Sequence, residues 1–273
     1  MKKRYIIILS ILIIILLVGV IVNRNSLSSF LSKQIDTLEK SKKINVLNRD
    51  VHKHLTIYYP DSDKNLIPLT KRILDLAINK NKDLFKTSYT IPYDIIIFEN
   101  KKEIESFSGL DYAIGFNNPE INTIGILPEN REALLKDIPP IIWNYQRNLL
   151  HEYTHYTLSQ KLIELDLSET DIPFWFKEGI SEYIGFNNII IGTMESPVIP
   201  LTDLFTSEQW SIYRTNPKFD VYLQSYLSIN FLITEYGVEV INEILIETKK
   251  EKNFEKGLFN STNLSSSELE NSI

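Results

Sequence analysis

The sequence HEYTH at residues 151–155 lies within residues 141–162, a stretch that is predicted to form one long helix. Residues four apart lie on the same face of a helix, so the side chains of His151 and His155 are expected to point the same way. Two imidazoles placed in this way can bind one metal ion, and Glu152 beside the first can reach a water molecule on that ion. The stretch therefore predicts a metal site with a general base next to it.

The metal site needs at least one further ligand, because catalytic zinc usually has three protein ligands and one position for water. No histidine follows His155, so the third ligand is expected to be a carboxylate. Glu178 and Glu182 are the best candidates, because they lie four residues apart on a short predicted helix at residues 171–185. One of them would bind the metal, and the other would accept the free ring N–H of a ligand histidine.

The two motifs together resemble those of the gluzincin metallopeptidases, thermolysin-like zinc enzymes with two histidines and a glutamate on the metal. The resemblance is to the peptidase MA-like group, whose pattern H-E-x-T-H is followed by W-x-x-E-G-x-A-E-Y. Here HEYTH is followed by WFKEGISEY at residues 175–183, with Ser181 in place of the usual alanine. The resemblance covers about residues 52–270 and implies the following roles: His151, His155 and Glu178 as ligands of one Zn²⁺ ion, Glu152 as the general base, and Glu182 as the acidic residue behind a ligand histidine.

The order of predicted elements indicates an α+β fold, because the strands come first and the helices follow. Predicted strands lie at residues 55–59 and 93–98, and residues 113–116 and 121–127 are predicted to form a hairpin. The resemblance implies a thermolysin-like zincin catalytic domain: a small mixed sheet, an edge strand over the zinc-binding helix, and a mostly helical C-terminal half. It further implies that the edge strand binds the backbone of an extended peptide substrate, with these contact residues: Asn122, Ile124 and Gly125.

Two tyrosines on the predicted C-terminal helix are candidates for stabilising the oxyanion of a transition state. Tyr222 and Tyr226 lie four residues apart and so share a helix face. The resemblance places a recurrent tyrosine at Tyr222. The alternative is that both are aromatic residues of an amphipathic core helix.

The N-terminus predicts a transmembrane anchor at residues 1–22. Basic residues at positions 2–4 precede an apolar run at residues 5–22, which is just long enough to span a bilayer. The basic flank places the N-terminus in the cytoplasm and the catalytic domain, residues 51–273, outside, behind a helical stalk at residues 23–50. The alternative is a cleaved signal peptide and a secreted protein, although no Ala-x-Ala-like site follows the run.

Composition limits the remaining classes of function. The chain has 273 residues, of which 43% are hydrophobic, so it can form a sizeable core. A net charge of −6 argues against nucleic-acid binding, and the absence of cysteine excludes disulfides and thiolate metal sites. The oligomeric state does not follow from the sequence.

The sequence as a whole predicts a membrane-anchored, extracytoplasmic zinc endopeptidase that acts on a peptide or protein at the cell envelope. One alternative is a catalytically silent zincin-fold domain that binds an envelope partner. Another is an aminopeptidase, which would need a site for the free amine of its substrate. No G-x-M-E-N-like segment is present to provide that site.

Overall fold

The structure is a computed structural model that describes residues 32–187 and 194–273. The chain divides into two compact units, residues 1–47 and residues 48–273. In the first unit, residues 32–44 form the described part of helix α1. The second unit begins close to the predicted domain boundary and contains the sheet and the other helices of the described chain.

The second unit contains a five-stranded mixed sheet with the strand order β1-β2-β3-β5-β4. The central pairs β2–β3 and β3–β5 are parallel, and the outer pairs β1–β2 and β4–β5 are antiparallel. The strands have the following bounds: β1 Asn48–His52, β2 Leu55–Tyr59, β3 Tyr93–Ile97, β4 Gly115–Asn118 and β5 Thr123–Ile126.

Helices make up most of the rest of the second unit, in agreement with the predicted α+β class. Their bounds are α2 Ile67–Phe85, α3 Lys101–Ser108, α4 Arg131–Leu135, α5 Pro139–Glu164, α6 Phe174–Phe186, α7 Ser207–Arg214, α8 Val221–Tyr236, α9 Val240–Glu251, α10 Phe254–Thr262 and α11 Ser266–Glu270. Side-chain oxygens of Asn100, Asn130, Asp220 and Asn253 accept backbone N–H groups at the starts of four of these helices. Pro139 begins α5, where the absence of a backbone N–H costs nothing.

The core lies between the sheet and the helices that follow it. Ile57, Ile95 and Ile124 lie side by side on β2, β3 and β5 and are fully buried. On β2 the buried residues alternate with the partly exposed Thr56 and Tyr58, and on β3 Asp94 is also partly exposed, so one face of these strands packs more closely than the other. This packing fixes β4 and β5 next to α5, so the sheet ends at the helix that carries HEYTH.

Close packing of α6 against its neighbours depends on two glycines. A Cβ on Gly179 would lie 2.4 Å from the backbone oxygen of Ser225 on α8. A Cβ on Gly185 would lie 3.2 Å from the backbone oxygen of Arg147 on α5. Helix α6 is therefore held between α5 and α8 at distances that leave little or no room for larger side chains.

Two parts of the predicted architecture need correction. The predicted anchor falls on residues 1–22, which lie outside the described residues. None of the helices in the part of the chain that the structure describes has both the length and the apolar character that a membrane crossing requires. We therefore withdraw the transmembrane helix from the predicted fold and with it the single-pass membrane localisation.

The predicted hairpin is confirmed, but its second strand, which was predicted to lie at the edge of the sheet, is an interior strand. Strand β5 pairs with β3 on one side and with β4 on the other, so it is an interior strand. The edge on this side of the sheet is β4, which pairs with β5 alone among the described strands. The prediction of an edge strand at residues 122–127 is therefore wrong, because an interior strand has no free backbone groups to offer a substrate.

Candidate metal centre and cleft

Helix α5 brings the two imidazoles of HEYTH together. The Nε2 atoms of His151 and His155 are 3.0 Å apart, and both side chains are partly exposed on one side of the helix. The residues between them, Tyr153 and Thr154, are buried and fix the rotation of the helix about its axis. The four-residue spacing thus has the consequence that the sequence predicts.

Helix α6 supplies the third donor. The carboxylate oxygens of Glu178 lie 3.4 Å from Nε2 of His151 and 3.5 Å from Nε2 of His155. Ligand atoms about 2.1 Å from a tetrahedral metal ion are about 3.4 Å from one another. The two distances from Glu178 involve its two different oxygens, and one donor atom from each of the three side chains lies within 4.8 Å of the others. Within the described residues, these three side chains are the one cluster of this kind. The site could therefore hold a metal ion.

A second glutamate and an arginine lie behind His151. One oxygen of Glu182 lies 3.3 Å from Nδ1 of His151, and the other accepts hydrogen bonds from Arg147 at 2.6 and 3.1 Å. The Glu182 side chain is 4% exposed, so its charge depends on these partners. A hydrogen bond at Nδ1 leaves Nε2 of His151 free to bind a metal ion.

In the metal-free cluster, the pKa values of the two histidines shift in opposite directions. Burial lowers the pKa of His151, but the carboxylates of Glu178, Glu182 and Glu152 outweigh it and raise the pKa well above its ordinary value. Burial lowers the pKa of His155 to about 4. Because a metal ion binds the unprotonated ring nitrogen, the raised pKa of His151 means that metal binding competes with its proton.

Glu152 faces the cleft beside the three donors. Burial, together with the negative charges of Glu178 and Glu182, raises its pKa to about 7, against the opposing charge of His151. Gly115, the first residue of β4, lies directly over it: an added Cβ would be 2.8 Å from Oε1 of Glu152. The edge strand can approach the carboxylate of Glu152 this closely only because residue 115 has no side chain.

The cluster opens into a cleft between β4, the loop before it, and helices α5, α6 and α7. Two adjoining cavities of about 660 and 580 Å³ form the cleft, and His151, Glu152 and Tyr222 line both of them. Strand β4 contributes Gly115, Phe116 and Asn117 to the wall. An extended peptide lying in this cleft would run beside the free edge of the sheet.

The residues predicted to contact substrate on β5 do not line these cavities. Ile124 is fully buried between neighbouring strands, and Gly125 lies under the ring of Phe116. Asn122 has a left-handed backbone conformation at the end of the short 3-10 turn between β4 and β5 and does not line either cavity. The substrate-binding prediction for Asn122, Ile124 and Gly125 therefore moves to β4.

The two candidate tyrosines on α8 have different surroundings. Tyr222 lines both cavities, and burial and the charge of Glu178 raise the pKa of its hydroxyl group, which stays protonated. Tyr226 is buried and packs its ring against Phe186, with centroids 4.8 Å apart. It does not line either cavity. The structure thus places Tyr222, and not Tyr226, in the cleft.

Three cleft residues have no role in the sequence-based prediction: Gly115, Arg147 and Arg214. Arg147 precedes His151 by one helical turn, a spacing that could have drawn attention to it. Gly115 and Arg214 lie far from the motif in sequence and give no such signal. Arg214, the last residue of α7, lines both cavities.

Comparison with known proteins gives one clear relative. The uncharacterized protein YhcO of Bacillus subtilis (strain 168) is 36% identical to this chain over 237 residues, which cover 87% of the chain and 74% of YhcO. No family model matches the chain.

One solved structure has a weaker similarity. The crystal structure of Legionella pneumophila aminopeptidase A in complex with aspartic acid matches 80% of the chain with a TM-score of 0.48 and 13% identity, and the chain spans 27% of that protein. A similarity of this degree does not carry an activity over to the chain. Neither a family model nor this structure supports the thermolysin-like assignment, which is not kept, whereas the mixed sheet followed by helices gives the α+β class.

Proposed function

The chain belongs to the protein family of Bacillus subtilis YhcO, and we propose that it is a metal-dependent hydrolase that cleaves peptide bonds. One observation carries the proposal. Donor atoms of His151, His155 and Glu178, one from each side chain, lie within 4.8 Å of one another, and the carboxylate of Glu152 faces the same cleft. The resemblance of both motifs to the gluzincin metallopeptidases supports the choice of peptide bonds.

We take the ion to be Zn²⁺, because two imidazoles and one carboxylate are a common ligand set of catalytic zinc. A bound zinc ion would polarise the scissile carbonyl group and lower the pKa of a water molecule from about 15.7 to about 7. Glu182 and Arg147 support the binding of the ion by holding His151 with Nε2 free.

Glu152 acts as the general base in this proposal. Its carboxylate accepts a proton from the attacking water and passes it to the leaving amine. Glu152 is placed for both steps, because it is next to the ligand His151 in the sequence and its carboxylate lines the cleft in which the water would attack.

Tyr222 donates its O–H to the oxyanion that forms on the scissile carbonyl. The hydroxyl group lies in the cleft and remains protonated, so it is available as a donor. Strand β4 holds the substrate backbone, with main-chain hydrogen bonds along its free edge. Such bonds hold any extended peptide, so β4 by itself gives little selectivity between sequences.

An aminopeptidase is the second candidate, because such an enzyme needs a negative charge for the free ammonium group of its substrate. Asp111 and Asp220 line the first cavity, in reach of a substrate that enters the cleft by its N-terminus. N-terminally acetylated peptides separate the candidates: an endopeptidase cleaves them, and an aminopeptidase cleaves only their free counterparts.

The proposal is tested with the full-length protein, loaded with zinc and incubated with a diverse peptide mixture whose products are identified by mass spectrometry. We expect Glu152→Gln to bind one zinc ion per chain and to lose at least about a hundredfold in rate, as loss of a general base implies. Glu235→Gln, which removes an exposed carboxylate from α8, is the matched control and should retain the wild-type rate. Equal rates for wild type and Glu152→Gln would show the proposed role to be wrong.

A further inference from the structure

Three cationic side chains line the cleft, and two of them are paired. Arg147 donates to Glu182 at 2.6 Å, and Lys177 donates to Glu169 at 3.0 Å. Arg214 is different: among the described residues, no carboxylate oxygen lies within 4.0 Å of its guanidinium group. It donates a hydrogen bond of 3.4 Å to the backbone oxygen of Asp111 and also interacts with the hydroxyl group of Tyr222.

Arg214 lies close to the reacting groups. It lines both cavities, as does Tyr222. The hydroxyl group of Tyr222 interacts with Arg214 and also senses the charge of the metal ligand Glu178, so the guanidinium group and the metal donors are near the same side chain. A substrate bound across the metal site would therefore bring its neighbouring groups to Arg214.

The acidic residues on the same wall do not neutralise this charge by contact. Asp220 caps α8, where its Oδ1 accepts the N–H of Leu223 at 2.9 Å. Asp111 offers Arg214 its backbone oxygen, and its carboxylate lies farther away. The guanidinium group of the partly buried Arg214 has five N–H donors and a permanent charge. Without a carboxylate partner, some of these donors remain available for a ligand.

We propose that Arg214 binds a carboxylate of the substrate and so directs the cleft toward peptides with an anionic group near the scissile bond. The planar guanidinium group can donate two parallel hydrogen bonds to one carboxylate, which gives both affinity and orientation. The carboxylate comes from an aspartate or glutamate side chain or from the free C-terminus of a short peptide. This inference rests on the proposed peptidase function.

The first arm of the test uses peptides that the full-length, zinc-loaded protein cleaves. Glu and Gln are compared at each position around the scissile bond with both ends of the peptide blocked. Separately, a free C-terminal carboxylate is compared with its amide. We expect one of the two comparisons to favour the carboxylate by about 10- to 100-fold in kcat/KM, mostly through KM, as one charge-assisted pair implies.

The variants locate the effect. Arg214→Gln should remove the preference, Arg214→Lys should keep part of it, and Lys218→Gln should retain it in full. Lys218 is an exposed lysine of the segment between α7 and α8 that does not line the cleft, so its variant removes one nearby charge and nothing else. Absence of a preference in both comparisons, or a preference that survives in Arg214→Gln, would overturn the proposal. So would an equal loss for charged and neutral peptides, which would show that Arg214 only holds the loop at Asp111.

A binding measurement separates this inference from the proposed function. Calorimetric titration into zinc-loaded Glu152→Gln needs no turnover and uses peptide pairs chosen without regard to cleavage, which differ only in Glu against Gln or in a free C-terminus against its amide. Tighter binding of the carboxylate peptide, lost when Arg214→Gln is added, supports the subsite even if no peptide is cleaved. Cleavage of peptides by the wild type without any such difference in binding supports the peptidase and contradicts the subsite.

Discussion

The absence of a Cβ at Gly115 leaves room for the carboxylate of Glu152, the proposed general base. Any side chain at this position would meet Glu152, since a Cβ would lie 2.8 Å from Oε1 and 2.9 Å from Cγ. Real Cβ atoms essentially never approach another heavy atom this closely, so the carboxylate must move. It is the end of a flexible side chain, and its displacement does not require the backbone to shift.

We therefore predict that Gly115→Ala lowers kcat by about 10- to 100-fold, because a displacement of about 1 Å at a reacting group has effects of that size. Melting temperature and zinc content should stay close to those of the wild type. Steady-state kinetics, thermal unfolding and metal analysis check the three parts. An unchanged kcat would mean that the position of Glu152 under β4 does not matter for the rate.

The Arg147–Glu182 pair makes a prediction that depends on pH. Burial raises the pKa of Glu182, but the hydrogen bonds and charges of His151 and Arg147 outweigh it, and the pKa is lowered below its ordinary value of 4.5. A carboxyl group with a lower pKa in the folded state adds stability above the unfolded pKa, and this contribution is lost as the pH falls through the folded value. Once Glu182 is protonated, its ion pair with Arg147 no longer stabilises the folded state.

In metal-free protein, Arg147→Met should cost about 2 kcal/mol of unfolding free energy at pH 7, because it leaves a buried charge with one partner fewer. The cost should shrink as the pH is lowered from about 5 to about 3. Urea unfolding of wild type and variant across this range, with a chelator present, measures it. A cost that is independent of pH would indicate that Arg147 acts by packing on Phe186, where its guanidinium group lies 4.6 Å from the ring centroid.

At the scale of elements, the site depends on how closely α6 can approach α5 and α8. Gly179, the residue after Glu178, has its Cα hydrogen against the backbone oxygen of Ser225. We predict that Gly179→Ala destabilises the protein by about 2 kcal/mol or more, since a backbone atom at 2.4 Å cannot move aside without shifting a helix.

Gly185→Ala is the matched comparison on the same helix. Its nearest backbone atom is at 3.2 Å, so a small shift could offset the gain of about 1 kcal/mol that alanine brings to a helix interior. Chemical unfolding of both variants should rank Gly179→Ala as clearly the less stable. The reverse order would show that the contact between α6 and α8 is not close in solution.

The elements that the sequence predicts well are those with a local signal. Strand β2 is found with the bounds of the structure, and α5 and α6 follow from spacing and from proline at their starts. Strand β1 was missed, because NRDVH is polar and mostly exposed and has no alternating pattern. The exchange of edge strand between β4 and β5 could not be foreseen, because it depends on the pairing of β5 with β3, which is distant in sequence.

The same distinction applies to the candidate site. His151, Glu152 and His155 lie within about one helical turn, and Glu178 and Glu182 lie one turn apart on the next helix. Their spacing in the sequence is therefore enough to identify them as candidates. The resemblance also offers Tyr222 on α8, whereas Gly115 on β4 and Arg214 on α7 come from parts of the chain without any such signal. Only the tertiary structure brings these residues to the cleft.

At the scale of the whole molecule, the metal donors join two helices that belong to one packed unit. His151 and His155 come from α5, and Glu178 comes from α6, which is also packed on α8. Without an ion, the site gathers three carboxylates and two imidazoles in a small, mostly buried volume. A bound divalent cation would balance part of that negative charge, so metal binding and stability of the folded unit should be coupled.

Removal of the metal is therefore predicted to lower the melting temperature of the full-length protein. At a free zinc concentration about a thousandfold above Kd, binding stabilises the folded state by about 4 kcal/mol, which corresponds to a shift of about 10 °C for a chain of this size. Calorimetry with zinc, with a chelator, and after zinc is added back measures the shift. Glu152→Gln should respond as the wild type does, whereas His155→Ala, which lacks one donor, should lose most of the response. A melting temperature of the wild type that is the same in zinc and in chelator would contradict a metal centre at His151, His155 and Glu178.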